Sequence, residues 1–127
     1  MKVLVVEDNT DFREYIVDVI KTEFDVSIDS AENGDEAIAL CRRTIYDLIV
    51  SDIDMPHTSG TETIARLRSS CFLAPHCQVI FLSGKLQNHL LDATGEGLFI
   101  LDKPIEPQSL ISKVKLSLGI ASKKKAA

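Results

Sequence analysis

Four apolar runs in this sequence end in side chains that could bind a metal ion or react with a phosphate. In chain order these side chains are Glu7 and Asp8, then Asp52 and Asp54, then Ser83, and finally Lys103 before Pro104. If the runs are parallel strands of one open sheet, their carboxyl ends share the edge where ligands of such sheets bind. The order of acid pair, acid, hydroxyl and lysine is more specific than any one of its parts.

The carboxylates predict a metal site. Gathered at one edge, Glu7, Asp8 and Asp52 would lie within roughly 5 Å of one another, and each pair would repel by about 3 kcal/mol at an effective dielectric near 20. Lys103 supplies one positive charge, and a divalent cation can supply more. Oxygen ligands select a hard cation, and few protein ligands with room for water favour Mg²⁺ over Ca²⁺. We therefore expect one Mg²⁺ ion per chain.

The other side chains extend this prediction to phosphoryl transfer. A carboxylate can act as the nucleophile and form an aspartyl phosphate. Lys103 and the metal ion would neutralise charge on the transferring group, and Ser83 would donate a hydrogen bond to one of its oxygens. The alternative for Ser83 is a helix N-cap.

The elements that must position these residues also show a pattern, because five apolar runs alternate with five stretches of helical periodicity. Runs that are apolar on both faces are typical of a parallel sheet covered by helices on both sides. Right-handed crossovers then give a flavodoxin-like, doubly wound α/β fold with a five-stranded parallel sheet, (βα)5. The predicted strands are residues 3–6, 26–28, 48–50, 79–82 and 98–101, and the predicted helices are 11–23, a second around 37–41, 59–70, 85–93 and 107–118.

Composition limits the classes of function. The 127 residues predict one domain at 1–119 and a polar, solvated tail at 120–127. The chain is 45% hydrophobic and 26% charged, which is typical of a globular domain and excludes intrinsic disorder. Its net charge of −5 argues against binding of the folded domain to nucleic acid or to anionic lipid.

The same sequence predicts a cytoplasmic location. The opening apolar run is too short for a secretory signal, and no apolar stretch approaches the roughly 20 residues of a membrane span. The three cysteines, an odd number, fit unpaired thiols in a reducing compartment. Cys41 is expected in the core, and a zinc site at Cys71, His76 and Cys77 is disfavoured because their spacing matches no known ligand pair. His57 is expected to face solvent.

Four segments together resemble the receiver domains of bacterial two-component response regulators, over about residues 2–118. They are VLVVEDN, DLIVSDIDMPHTSG, VIFLSG and DKP. The resemblance implies that Asp52 is the phosphoacceptor. It also implies that Asp8 binds Mg²⁺ directly and Glu7 through water, and that Asp52 and the backbone carbonyl of Asp54 complete the protein ligands.

The resemblance further implies how the site would work and what it would contact. Ser83 and Lys103 would act on the phosphoryl group, and the Lys103–Pro104 peptide bond would be cis. A histidine kinase or phosphotransfer protein would donate the phosphoryl group. The chain would be no enzyme but a phosphoacceptor that assists its own phosphorylation and dephosphorylation. A downstream protein would bind the face formed by the fourth helix, fifth strand and fifth helix, and the chain would be a monomer or a phosphorylation-dependent dimer.

Two features depart from or refine the family pattern. The family usually has Tyr or Phe three residues before the lysine, as part of its switch, and this chain has Ile100. Phe99 is adjacent, but neighbouring strand residues point to opposite faces. A non-aromatic switch is expected, with a shifted Phe99 or little conformational output as alternatives.

Asp54 and Lys85 would flank the entrance of the phosphorylation site and tune the lifetime of the acyl phosphate. The alternative is that both are solvated charges.

Three other functions fit parts of the sequence. A phosphorylation-independent scaffold stays open because of Ile100. A small phosphatase of the haloacid dehalogenase type is disfavoured, because its Asp-x-Asp motif belongs on the first strand, whereas Asp52 and Asp54 follow the third. A flavodoxin-like cofactor binder is disfavoured because Glu7 and Asp8 would repel a phosphate after the first strand.

Overall fold

The computed structural model describes residues 1–84 and 98–123, and over these ranges it contains five strands and four helices. The strands are β1 (Lys2–Val6), β2 (Ser27–Ala31), β3 (Leu48–Asp52), β4 (Gln78–Ser83) and β5 (Leu98–Asp102), and the helices are α1 (Thr10–Glu23), α2 (Gly34–Cys41), α3 (Gly60–Ser69) and α4 (Pro107–Leu118). All strand pairs are parallel, in the order β2-β1-β3-β4-β5. The predicted doubly wound fold is confirmed. The predicted helix at 85–93 lies outside the described residues.

The core has two halves, one on each face of the sheet. Alternation along β1 sends Val3 and Val5 to one half and Leu4 and Val6 to the other. Helices α1 and α4 cover the first half, and α2 and α3 cover the second. All five residues of β3 are buried, as expected of a central strand covered on both faces.

Local signals fix where the helices begin. The side chains of Asn9, Asn33 and Ser59 each accept a backbone hydrogen bond as the N-cap of α1, α2 or α3. Pro107 starts α4, as predicted, and the buried stripe of that helix is Leu110, Ile111, Val114 and Leu118. These starts place the first turns of α1 and α3 beside the carboxyl edge of the sheet.

The strand boundaries differ from the prediction where polar residues belong to strands. Strand β2 was predicted at 26–28 but is Ser27–Ala31, because this edge strand keeps exposed polar residues that pair with β1. Strands β3 and β4 extend to Asp52 and Ser83, which are therefore the last strand residues rather than loop residues. Backbone pairing in the sheet therefore fixes the positions of Asp52 and Ser83.

The start of the tail also differs from the prediction of a solvated segment. Ile120 packs against the half of the core under α1 and α4, and the Lys123 N–H donates to the carbonyl of Glu23 at 2.7 Å. The hydroxyl of Ser122 donates to the same carbonyl at 3.2 Å. The end of α1 presents carbonyls that need donors, and the tail provides them.

Several smaller features complete the described fold. Cys41 is buried, as predicted. Cys71 is exposed and Cys77 is buried, while the ring of His76 contacts a carboxylate oxygen of Asp47 at 2.9 Å. His57 is exposed, with a left-handed backbone at φ 71°. In the described part of the chain, no helix combines the length and apolar character needed to cross a bilayer.

Candidate functional site

An acidic cluster lies at the carboxyl edge of the sheet, where β1 and β3 end side by side. Glu7 and Asp8 directly follow β1, and Asp52 ends the neighbouring β3. Glu7, Asp8 and Asp52 each offer a carboxylate oxygen, and these oxygens lie within 4.8 Å of one another. Glu7 and Asp52 are only 2% exposed, whereas Asp8 faces solvent. The predicted gathering of the three acids is what the structure shows.

Lys103 approaches this cluster from the loop after β5. Its Nζ lies 3.0 Å from Oδ1 of Asp52 and 3.9 Å from Oε1 of Glu7, with the side chain 32% exposed. The backbone N–H of Lys103 donates to the carbonyl of Ser83 at 2.7 Å, and the Ser83 side chain is buried at the end of β4. The Lys103–Pro104 peptide bond is cis. The hydroxyl-bearing strand and the lysine loop are therefore joined beside Asp52.

Two buried carboxylate oxygens have no hydrogen-bond partner among the described residues. The Asn9 N–H donates to Oε2 of Glu7 at 3.0 Å, which leaves Oε1 without a donor. Oδ1 of Asp52 has the Lys103 ammonium nearby but outside hydrogen-bond geometry. Buried charged oxygens are costly without partners, and carboxylate oxygens are ligands of hard cations. The cluster therefore fits a Mg²⁺ ion.

The electrostatics of the two buried acids favour the binding of a positive charge. Burial raises the pKa of Glu7 to about 7, and the charge of Asp52 adds to this, while the Asn9 N–H and Lys103 oppose it. Burial also raises the pKa of Asp52, which Lys103 opposes and the charges of Asp54 and Asp8 reinforce. A bound cation would favour the ionised form of both groups.

Three supporting residues were not among the predicted site residues. Gly60 starts α3 so close to β3 that an added Cβ would lie 2.1 Å from the backbone oxygen of Asp52. Nη1 of Arg13 donates to the carbonyl of Glu7 at 2.8 Å. The ring of Phe12 lies 4.8 Å from Nζ of Lys103. Phe12 lies within the predicted helix at 11–23, and nothing local in the sequence indicates its contact with Lys103.

The other predicted site residues lie around the acidic cluster and Lys103 or outside the described part of the chain. Asp54 is exposed in the loop after β3. Ile100 packs against the half of the core under α2 and α3, whereas Phe99 packs against the opposite half, beside Lys113. The expected opposite orientation of Phe99 and Ile100 is therefore what the structure shows. Lys85 lies outside the described residues.

The sequence over residues 3–115 matches the model of one protein family, the response regulator receiver domain. This chain belongs to that family. Receiver domains are regulatory modules of two-component systems, and the predicted resemblance is confirmed.

Individual relatives agree with this assignment. A response regulator receiver protein of Anaeromyxobacter is 34% identical over 104 residues, which are 80% of this chain and 42% of that protein. The transcriptional regulatory protein ResD of Bacillus subtilis is 33% identical over 121 residues, which are 95% of this chain and 49% of ResD. This chain thus spans about half the length of the curated relatives that it matches.

Solved structures show the same fold. The receiver domain of the Francisella response regulator 1452 superposes with a TM-score of 0.77 at 27% identity, covering 93% of this chain and 96% of that one. The chemotaxis protein CheY4 of Vibrio cholerae has a TM-score of 0.81 at 23% identity, with coverage of 92% and 98%. The second likeness shows the shared fold alone.

Proposed function

We propose that Asp52 accepts a phosphoryl group from a histidine kinase or a phosphotransfer protein, and that a protein partner recognises the phosphorylated form. One observation carries this proposal. The Asp52 carboxylate is 2% exposed, ends a central strand, and lies between two further acids and the ammonium of Lys103. A buried acid among acids is costly for stability, and phosphoryl acceptance would give it a role.

The transfer step uses groups that surround Asp52. A carboxylate oxygen of Asp52 forms a bond to phosphorus as the bond from phosphorus to the donor histidine nitrogen breaks, and the imidazole keeps that electron pair. The Lys103 ammonium, 3.0 Å from Oδ1, offsets charge on the transferring group. The hydroxyl of Ser83, at the adjacent strand end, would donate to a phosphoryl oxygen.

Glu7, Asp8 and Asp52, with the backbone carbonyl of Asp54, would hold Mg²⁺ in this proposal. The unpartnered oxygens of Glu7 and Asp52 support this set of ligands. When bound, the ion supplies positive charge to the phosphoryl oxygens. Asp54 and Lys85 would tune the lifetime of the acyl phosphate, and Asp54 is suitably placed because its charge reaches Asp52.

The output would be a protein–protein contact, made in the cytoplasm by β5, by α4, which is the fifth predicted helix, and by the predicted helix at 85–93, which lies outside the described residues. Phosphorylation would shift the population towards a state that the partner prefers. The net charge of −5 supports contact with protein rather than nucleic acid. The receiver domain would extend over residues 1–119, and it would act as a phosphoacceptor and not as an enzyme with an external substrate.

A phosphorylation-independent scaffold is the second candidate, and one observation favours it. Ile100 occupies the position of the family's usual aromatic switch, and Phe99 faces the other half of the core. A receiver without that aromatic could hold one conformation regardless of phosphorylation.

Intact-mass spectrometry tests the proposal directly. The chain is incubated with acetyl phosphate, with Mg²⁺ or with EDTA, beside Asp52→Asn and the matched variant Asp47→Asn, which alters an acid at the other edge of the sheet. We expect a single Mg²⁺-dependent phosphoryl adduct in the wild type and in Asp47→Asn, and none in Asp52→Asn. No adduct under conditions that label a known receiver, and no binding of beryllofluoride, would favour the scaffold instead.

A further inference from the structure

We propose that Phe12 is a positioning residue that holds the Lys103 ammonium at Asp52; this rests on the proposed function of Asp52. The Phe12 ring centroid lies 4.8 Å from Nζ of Lys103, and the same Nζ lies 3.0 Å from the Asp52 carboxylate. The ammonium is therefore held between an aromatic ring and the proposed phosphoacceptor.

A restraint on Lys103 matters because its partly exposed side chain can also adopt rotamers that face solvent. A lysine has a flexible four-carbon stem and a strongly hydrated ammonium. This side chain is 32% exposed, and its contact with Asp52 lacks hydrogen-bond geometry. The face of an aromatic ring carries partial negative charge and attracts a cation. Phe12 thus favours the orientation in which Lys103 faces the acids rather than solvent.

Both the backbone and the ring of Phe12 have partners that fix their positions. The backbone N–H of Phe12 donates to Oδ1 of the N-cap residue Asn9 at 2.8 Å. Its ring is stacked with Tyr15, with centroids 6.1 Å apart and an interplanar angle of 23°. The hydroxyl of Tyr15 donates to the carbonyl of Ile105 at 3.0 Å, two residues after Lys103. The first turns of α1 therefore restrain both the side chain and the loop of Lys103.

This restraint affects phosphoryl transfer through preorganisation. A cation that is already at its place when charge develops needs no reorganisation during the reaction. Without the ring, Lys103 would spend more time in solvent-facing rotamers, and phosphorylation would slow by about twofold to fivefold, the range expected for a partly exposed cation–π contact. The effect would pass entirely through Lys103.

Fluorinated phenylalanine at position 12 tests this role without changing the packing. Fluorine atoms withdraw charge from the ring face while the ring keeps nearly the same shape. We expect the rate of Mg²⁺-dependent phosphorylation by acetyl phosphate to fall stepwise from phenylalanine through monofluoro- to trifluorophenylalanine, to about one third of the wild-type rate, as a weakened cation–π contact predicts. Phe12→Tyr keeps the ring and should keep most of the rate, whereas Phe12→Leu should show the full loss. The melting temperature of each variant is measured alongside.

Two controls separate this role from a merely structural one. Phe72→Leu removes a similar ring, which lies 5.4 Å from Cζ of Arg42 and away from the acidic cluster, and should leave the rate within twofold. In a Lys103→Ala background, Phe12→Leu should cause no further loss. Equal rates for all fluorinated variants, or a further loss in the Lys103→Ala background, would overturn the proposal while the wild type is still labelled. A wild type that is not labelled would instead overturn the proposed function.

Discussion

The carboxyl group of Asp52 is buried beside two other acids, and its pKa is raised chiefly by that burial. A raised pKa means that the ionised group destabilises the metal-free fold at neutral pH. We therefore expect Asp52→Asn to increase the free energy of unfolding by about 1 kcal/mol, the size of a typical single-residue effect. Urea unfolding at pH 8 in EDTA measures this change.

Asp47 provides the matched control, because its pKa is lowered rather than raised. It accepts a hydrogen bond from the Lys2 N–H at 2.8 Å and contacts His76. Asp47→Asn should therefore decrease the free energy of unfolding, by about 0.5–1.5 kcal/mol. The same sign for both variants would contradict the assignment of electrostatic cost to Asp52.

Glu7 makes the metal-free protein less stable as pH rises. Its pKa is about 7 in the folded chain against 4.5 for the unperturbed group, so the folded state binds more protons between these values. The stability that Glu7 contributes is fully present below pH 4.5 and is lost as pH rises through 7. We expect the unfolding free energy in EDTA to fall between pH 5.5 and 8, and Glu7→Gln to flatten that fall.

Stabilisation of the fold by Mg²⁺ should increase as pH rises, because the ion binds the deprotonated carboxylates. The rise in melting temperature caused by saturating Mg²⁺ should be larger at pH 8 than at pH 5.5, and small at both values in Glu7→Gln. Differential scanning fluorimetry measures it. A Mg²⁺ effect that is independent of pH would place the ion away from Glu7.

At the scale of elements, the start of α3 fixes the end of β3. The Gly60 N–H donates to the carbonyl of Ile53 at 2.9 Å, and an added Cβ would lie 2.1 Å from the backbone oxygen of Asp52. Backbone atoms of a central strand cannot move far, so Gly60→Ala should decrease the free energy of unfolding by about 3 kcal/mol and slow phosphorylation. Gly84→Ala is the control.

Among the described residues, a Cβ at Gly84 would meet only Lys103 Cδ, at 3.8 Å, which is ordinary contact. Its effect on the unfolding free energy should stay within about 0.5 kcal/mol. Chemical denaturation of both variants gives the comparison. Equal losses for the two glycines would show that the close approach of α3 to β3 is not the cause.

The strands and helices show how much of the fold and of the site could be predicted from the sequence. Central strands covered on both faces are largely apolar, so β1, β3 and β4 and the acids or hydroxyl at their ends were recognisable. The edge strand β2 was misplaced because its exposed positions are polar, as in Asp29 and Ser30. The contact between Phe12 and Lys103 was not predicted, because it depends on how α1 lies across the loop after β5 and no local pattern encodes that.

At the scale of the whole molecule, the proposed chemistry and the return of the tail lie at opposite edges of the sheet. Helix α1 begins beside the acidic cluster and ends at Glu23, where Ser122 and Lys123 donate to its last carbonyl. Since α1 and α4 share one half of the core, this contact closes that half at the edge away from Asp52. A substitution at the contact between the tail and the end of α1 should therefore change stability without changing phosphorylation of Asp52.

Lys123→Pro removes the backbone donor to Glu23, whereas Lys123→Ala keeps it. We expect the proline variant to unfold with about 1 kcal/mol less free energy than the alanine variant, because the half-buried Glu23 carbonyl loses its backbone donor and keeps the Ser122 hydroxyl. Both variants should be phosphorylated at the wild-type rate within twofold, because neither touches the acids or Lys103. Urea unfolding and intact-mass kinetics on the same samples measure the two quantities. A proline variant that is as stable as alanine would show that Glu23 does not need this donor, and one that is phosphorylated slowly would show that the far end of α1 controls Asp52.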